Sequence, residues 1–430
     1  MSVTAREAAL KALQQYRRRG ARPEMSLSNI SEREELSHRD LALAGRIVNG
    51  VLENEAFLDY YIELYSCRKK CFFDAETLDI LRMSAYQLWF LDRVPAHAAV
   101  SEAVGLSKKK AKPAVNAILR KLPAKAEELP EIIAGTREEK LSVEYSHPLW
   151  LVKRLTEEYG EELCEKILAA GNRPAQVTLI RNTLKPMEPN ESGLTESGIL
   201  DNAYYLTGGG VEALEAFRNG AVYVQDISAY LAVCAAAPRS GQTVLDACAA
   251  PGGKSFAAAV MMEDKGRIIS RDIHEKKLRL IDSGAERLGI HIIETEPADA
   301  RSADETLRES CDLVIADVPC SGIGVIRKKP EIRYKSPDEI EKLPEIQLSI
   351  LRESAKNVKK GGTLLYSTCT ILKEENEKVA EAFLRENGDF ALEGFTLPGH
   401  FGKSDGMLTI LPGENNVDGF FICRMRRRSD

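Results

Sequence analysis

The stretch Val244-Leu245-Asp246-Ala247-Cys248-Ala249-Ala250-Pro251-Gly252-Gly253-Lys254 decides the fold of this chain. It begins as a short apolar run ending in a carboxylate and closes on a glycine turn that enters a helical pattern at Ser255. Glycines between a strand and a helix let the backbone approach a ligand, and the helix N-terminus offers unpaired N–H groups to an anion. Gly-Gly-Lys alone is a weak signal, because tight turns are common and the spacing of a nucleotide-triphosphate loop is not met. The whole string is far more specific.

Downstream the same rhythm repeats. Thr243 to Asp246, Gly266 to Asp272, Ile290 to Glu294, Leu313 to Asp317 and Gly362 to Ser367 are short apolar runs, each followed by a polar or Gly-rich turn and mostly by a helix-like segment. This is the βαβ pattern of a doubly wound parallel sheet, expected over residues 221–430. Upstream, Ser146 to Gly171 reads as a helix with Pro148 in its first turn and a break at Gly160. Strands are expected at Ala175 to Arg181 and, beyond Gly208-Gly209-Gly210, at Ala221 to Val224. Residues 141–220 are therefore expected to form a small mixed α/β insert.

The front, residues 1–127, reads as all-α. Thr4 and Glu7 stand in capping-box spacing, Ala5, Ala8, Ala9, Ala12, Leu13 and Tyr16 form an apolar stripe, and Gly20 stops the helix. Helical spacing recurs through Leu41, Ala44, Val48, Val51 and Leu52, through Leu78, Leu81, Ala85, Leu88 and Trp89, and through Val115, Ile118 and Leu119. Pro123 and Pro130 flank a charged stretch that suits a linker.

Composition sets the class. Hydrophobic residues at 44% and charged residues at 29% are those of a globular chain and exclude a disordered or fibrous one. The net charge of −6 hides an uneven distribution: residues 1–125 carry 21 Lys+Arg against 15 Asp+Glu, and the remainder 38 against 50. Arg17-Arg18-Arg19, Arg68-Lys69-Lys70, Lys108-Lys109-Lys110 with Lys112, Arg327-Lys328-Lys329 and Arg426-Arg427-Arg428 are candidate phosphate contacts, although most short charge runs are simply solvated faces. With Arg6 and Glu7 early and no apolar stretch behind them, neither a signal peptide nor a membrane span is expected, which places the chain in the cytoplasm. Nine cysteines without regular spacing do not suggest a disulfide framework. Cys67 and Cys71 lack a second ligand pair, so no metal is expected. Cys67, Cys71, Cys164, Cys234, Cys311 and Cys423 read as small apolar filler.

Cys320 and Cys369 read differently. One lies in Asp317-Val318-Pro319-Cys320-Ser321-Gly322, the other in Tyr366-Ser367-Thr368-Cys369-Thr370, each just past the end of an expected strand, where such sheets bind ligands. Paired thiols suit methyl transfer to C5 of cytosine. That carbon is a poor nucleophile until a thiolate adds at C6; one cysteine then attacks and a second assists breakdown of the adduct. Asp317 suits protonation of, or a hydrogen bond to, N3. Spacing does not decide which cysteine attacks. Asp272, at a strand end, can accept two ribose hydroxyls or cap the helix after it, and Asp299 can accept from an adenine amino group.

These residues resemble the Nop/Sun family of RNA cytosine-C5 methyltransferases, from the Asp246 to Lys254 loop through Asp317–Gly322 to Ser367–Thr370. Ser146-His147-Pro148-Leu149-Trp150-Leu151, Arg181-Asn182-Thr183-Leu184-Lys185, Gln225-Asp226-Ile227-Ser228, Glu374-Glu375-Asn376-Glu377 and Asp418-Gly419-Phe420-Phe421 extend the likeness over most of residues 146–428. The resemblance implies a Rossmann-like methyltransferase sheet and S-adenosyl-L-methionine as cofactor, with its methionine carboxylate at the glycine turn. It implies cofactor contacts at Cys248, Ala249, Ala250, Pro251, Gly252, Gly253, Lys254, Asp272, Asp299 and Asp317. It assigns attack to Cys369 and product release to Cys320, whereas DNA cytosine methyltransferases use the Pro-Cys cysteine. Gly322-Ile323-Gly324 departs from the Ala-Thr-Gly of many members and bears on loop packing. The helical front resembles the RNA-binding NusB fold, and its pairing with such a methyltransferase part implies 16S ribosomal RNA as substrate and partner for a chain expected to be a monomer. Transfer RNA or another ribosomal cytosine remains the alternative substrate, and a non-catalytic assembly factor the alternative class.

Overall fold

The computed structural model describes residues 3–92, 94–187, 192–302 and 304–429; residues 188–191, inside the span expected for the insert, lie outside them. Contacts divide the chain into two units, residues 1–172 with 329–334, and residues 173–328 with 335–430.

The described strands all lie in the second unit; the first is built from helices Ala5–Arg19, Pro23–Glu34, His38–Glu53, Glu55–Ser66, Ala75–Phe90, Ala96–Leu106, Lys112–Leu119, Arg137–Glu144, Leu149–Tyr159 and Glu161–Gly171. The first helix starts on the expected capping box of Thr4 and Glu7 and ends at Gly20, whose φ of 62° is the left-handed cap that glycine adopts without strain. The span 146–171 breaks at Gly160, as expected, where φ 78° parts two helices, and Pro148 is the cap before the first turn rather than a member of it. Between Pro123 and Pro130 the chain is tied down rather than loose: Trp89 Nε1 donates to Pro123 O at 3.1 Å and the Tyr61 hydroxyl to Pro130 O at 2.7 Å.

Arg333 is wholly buried in this unit. Its guanidinium donates to Glu53 O at 2.5 Å, Ser146 O at 3.2 Å, Gly171 O at 2.9 Å and Asn172 Oδ1 at 2.7 Å. Glu53 and Gly171 end helices, and Ser146 follows the cap of a third. One cation thus satisfies carbonyls that helix C-termini leave without partners, at the negative end of their dipoles. Burial depresses its pKa to about 10.

In the second unit β1 (Thr178–Arg181), β2 (Leu194–Glu196), β3 (Ala203–Leu206) and β4 (Val222–Val224) form an antiparallel sheet in the order β2-β3-β1-β4. Then follow β5 (Thr243–Asp246), β6 (Arg267–Asp272), β7 (Ile293–Pro297), β8 (Cys311–Asp317), β9 (Val358–Thr368), β10 (Phe390–Leu392), β11 (Phe395–Thr396), β12 (Lys403–Ser404), β13 (Met407–Ile410) and β14 (Phe420–Arg427). The large sheet has the order β10-β14-β9-β8-β5-β6-β7, with β13 on β14. From β9 to β7 it is parallel, as expected of a doubly wound sheet. The other edge is not: β14 runs antiparallel to β9, β10 and β13. Only residues 411–419 join β13 to β14, too short a link for the crossover that a parallel pair requires.

The third parallel strand also begins later than expected, at Ile293 instead of Ile290. Gly289, at φ 68°, closes the preceding helix, Ile290 N–H bonds back to Ala285 O, and the Asp264 carboxylate takes His291 N–H. Adjacent strand residues bury opposite faces. Val244, Ile268, Leu313 and Leu365 pack with helices Ile227–Ala236, Gly253–Met261 and Glu275–Leu288; Leu245, Ile269, Val314 and Leu364 pack with Leu343–Asn357 and Glu377–Glu386. A sheet covered on both faces exposes its chemistry at the carboxyl ends of its strands, where Asp246, Asp272, Asp317 and Thr368 stand.

Candidate active site

β5 delivers Asp246 to the edge, and the chain turns through Cys248–Gly252 into helix Gly253–Met261. Gly252 has φ 112°, and a Cβ there would lie 2.6 Å from the Phe256 ring, so the turn accepts only glycine. The N–H groups of the helix's first turn have no partner within the helix. Asp246 is buried; its Oδ2 accepts from the Ser255 hydroxyl at 2.7 Å, and burial pushes its pKa up to about 7. A cavity of about 590 Å³ opens beside the turn, lined among others by Asp246, Cys248, Gly253, Lys254, Gln225 and Asp317.

Asp317, at the end of β8, accepts from Lys254 Nζ at 2.6 Å and from the Ser367 hydroxyl at 2.8 Å. Lys254 is also 5.2 Å from the Phe420 ring centroid. Beyond Asp317 the two cysteines converge, with Cys320 Sγ 3.1 Å from Cys369 Sγ. The hydrogen bond to Cys369, burial, and the negative charges of Cys369, Glu375 and Asp317 push the Cys320 thiol well above the ordinary cysteine range. Gly324, in the loop that departs from the family pattern, donates its N–H to Cys369 O at 3.1 Å and accepts from Gly419 N–H at 2.8 Å. A Cβ on it would sit 2.2 Å from Gly419 O.

The structure therefore brings together the glycine turn, Asp317, Cys320 and Cys369. Asp272 and Asp299 sit on the same sheet edge, within electrostatic reach of Cys248, but do not line this cavity. Asp272 Oδ1 accepts from His274 N–H at 2.8 Å, a turn just ahead of the following helix, whose N-cap is His274 and carries no side-chain cap; the expected alternative of Asp272 as that cap is not what the structure has. Asp299 is clamped by Arg301 through both oxygens, and those hydrogen bonds lower its pKa.

Three site residues carried no role in the sequence reading. Gln225 is buried on the cavity wall, and neither atom of its amide finds a hydrogen-bond partner among the described residues. Glu375 and Asn376 reach the two cysteine loops. All three lie inside stretches that carried the family likeness, which was the signal available. Several basic clusters are committed within the chain: Lys328 pairs with Asp226 at 2.5 Å and Asp418 at 2.6 Å, Arg327 with Asp418, and Arg427 with Asp389 at 2.9 Å and Glu309 at 2.8 Å. Among the described residues no His/Cys/Asp/Glu group is arranged to hold a metal ion, and no helix is long and apolar enough to cross a membrane.

Residues 233–426 match the 16S rRNA methyltransferase RsmB/F family, residues 3–123 the NusB family, and residues 147–189 the ferredoxin-like domain of RsmF/B-like methyltransferases. A Bacillus subtilis protein named probable ribosomal RNA small subunit methyltransferase B is 39% identical over 99% of both chains. Ribosomal RNA small subunit methyltransferase B of Klebsiella pneumoniae is 31% identical over 99% of both. Among solved structures, a methyltransferase homolog protein from Pyrococcus horikoshii is 25% identical, covers 68% of this chain and all of its own, and superposes with a TM-score of 0.59.

Proposed function

The chain belongs to the ribosomal RNA small subunit methyltransferase B (Sun/Fmu) family of rRNA methyltransferases, and within it we propose that this protein methylates C5 of a cytosine in 16S ribosomal RNA, of the cytosine 967 type, through a covalent bond from Cys369 to C6. The observation that carries the proposal is the 3.1 Å approach of two thiols next to the Asp317–Lys254 pair.

The residues present fit S-adenosyl-L-methionine. The turn's side-chain-free Gly253, the first-turn N–H groups beside it, and the orphaned Gln225 amide converge on one cavity of a size suited to such a ligand. Cys248 to Lys254, Asp272, Asp299 and Asp317 would hold it. Bound there, it supplies an electrophilic methyl group on sulfur. For Asp299 to receive an adenine amino group, Arg301 must swing away from it.

The chain's own groups do the rest. Cys369, as thiolate, adds to C6 of a cytosine presented unpaired or flipped from its stack, and leaves C5 enamine-like. Asp317 shares a proton with N3, which draws charge away from C6 during attack. Once C5 is methylated a base takes its proton, and the electron pair left behind re-forms the C5–C6 double bond and expels the Cys369 thiolate, the step that Cys320 assists. The division into an RNA-binding front (1–127), a small α/β part (141–220) and a catalytic part (221–430), working as a cytoplasmic monomer without metal, belongs to the same proposal.

Cys369→Ala should abolish methyl transfer while leaving S-adenosylmethionine binding intact by calorimetry; appreciable residual methylation would sink the assignment. Cys320→Ala should leave a protein–RNA adduct that survives denaturing gels, and normal turnover with no adduct would remove Cys320 from the mechanism. Bisulfite mapping of ribosomal RNA from cells with and without the protein tests the substrate. An unchanged 16S pattern would refute it.

A further inference from the structure

Glu374–Glu377 carried the family likeness, yet the chemistry above gives it no task. Two of its side chains, Glu375 and Asn376, are wholly buried, and each reaches a different one of the two cysteine loops. Asn376 serves the Cys369 loop: its Nδ2 donates to Thr370 O at 3.0 Å and its Oδ1 accepts from the Thr368 hydroxyl at 2.5 Å, so both residues flanking Cys369 are fixed by one amide. Glu375 serves the other loop. Its Oε2 accepts the backbone N–H of Ser321 at 2.8 Å and Gln347 Nε2 at 2.8 Å, while Gln347 also donates to Pro319 O at 3.0 Å. Pro319 and Ser321 bracket Cys320 as Thr368 and Thr370 bracket Cys369.

The two arms differ in charge. An amide holds the Cys369 loop and the Lys254 ammonium lies within electrostatic reach of that sulfur, whereas a carboxylate holds the Cys320 loop. The remaining groups facing Cys320 are Cys369 itself, Asp317, Tyr366 and Lys335. Lys335 gives its ammonium to Ser321 O at 2.7 Å and Cys320 O at 3.4 Å, steadying the loop and partly offsetting the negative charge. Tyr366 donates its hydroxyl to Glu375 O, and burial keeps it neutral.

We infer that Glu375 is a positioning residue that holds Cys320 as a thiol, so that of two sulfurs 3.1 Å apart the negative charge is carried by Cys369. Two thiolates at this distance would repel, and one proton shared across the contact must lie nearer one sulfur. Glu375, bonded to the backbone of Ser321 next to Cys320, and Lys254, within electrostatic reach of Cys369, decide which. The inference rests on the proposed division of labour between the cysteines and supplies the physical cause for it.

The experiment titrates Cys320 directly. In Cys369→Ala protein, the pH dependence of iodoacetamide alkylation of the half-buried Cys320 is followed by mass spectrometry of its peptide. Adding Glu375→Gln keeps the shape and an acceptor for Ser321 N–H but removes the charge, and the alkylation midpoint should fall by about one pH unit or more. An unchanged midpoint with S-adenosylmethionine binding intact would overturn the inference, since a merely structural bracket would not move it. Should the Gln variant fail to fold, Glu375→Asp retains a carboxylate and must keep the midpoint high; a drop there overturns the inference equally. In the otherwise native chain, Glu375→Gln should spread alkylation from Cys369 to both cysteines. Because these readouts need neither RNA nor turnover, they stand apart from the fate of the methylation reading: Cys369→Ala retaining activity would sink that reading and leave the titration result as it is.

Discussion

Asp246 illustrates how a single side chain in this site couples ionisation to folding. It is fully buried, bonded to Ser255, and its pKa is pushed up to about 7 by burial. An unfolded aspartate titrates near 3.9, so the folded state binds the extra proton between about pH 4 and pH 7. The stability tied to this proton is present below the unfolded value and is lost as pH rises through about 7. Asp246→Asn should flatten that fall, measured by urea denaturation at pH 5 and pH 8; an unchanged slope would mean that another group carries it. Gly324 is constrained at the same scale by backbone instead of charge. Gly324→Ala would drive a methyl group against Gly419 O, Gly419 C and Cys369 O, none of which is a flexible side-chain end. The expected result is a loss of about 3 kcal/mol or more of stability, with a displaced Cys369 loop and no RNA adduct formed.

At the scale of elements, the active edge depends on how strands end. β8 and β9 are parallel neighbours, Asp317 standing opposite Ser367, so their carboxyl ends fall at one level and the loops beyond them meet. β14 seals the other flank of β9, pairing Phe421 with Thr368, and carries Gly419 to the Gly324 contact just before it begins. Its antiparallel course escaped the sequence because Phe420–Arg427 lacks a clean alternation: Phe420, Phe421, Ile422 and Cys423 are all buried, two on each covered face. A continuous apolar run marks a buried strand without stating its direction. β7 was misplaced for a related reason, since Gly289 and Ile290 belong to the closure of the helix before it.

Across the whole molecule, two units rest on different devices. The sheet unit is held chiefly by apolar packing on both faces of one large sheet, and the helical unit by helix packing in which buried arginines tie helices together. Arg82 bonds Asp59 at 2.6 and 2.8 Å, and Arg333 gathers carbonyls from three helix ends. Removing a buried donor leaves each partner unsatisfied. Arg333→Met should therefore cost the full chain about 3 kcal/mol or more, read as a lower urea midpoint for loss of helical signal; a change within error would show that water replaces the guanidinium. Basic residues on the surface of this unit test its part in RNA binding. Lys109 and Lys110 are exposed, and Lys109→Glu with Lys110→Glu should weaken RNA binding and lower the salt dependence of its logarithm by about 1 to 2. Equal affinity and slope would place the RNA elsewhere.

Much of the site was legible in the chain itself because its chemistry is local. The glycine turn, the acidic strand ends, the capping box at Thr4 and the two cysteines each depend on neighbours a few residues away, where spacing and turn preference decide conformation. What tertiary structure decided are the pairings across long separations. Ser321 meets Glu375, Gly324 meets Gly419, and Arg333 meets Glu53, contacts that no periodicity announces because they arise only when separate elements pack. The same holds for the two thiols: their presence belongs to the sequence, and their 3.1 Å approach, with a carboxylate bonded to the loop of one and an ammonium within electrostatic reach of the other, belongs to the fold.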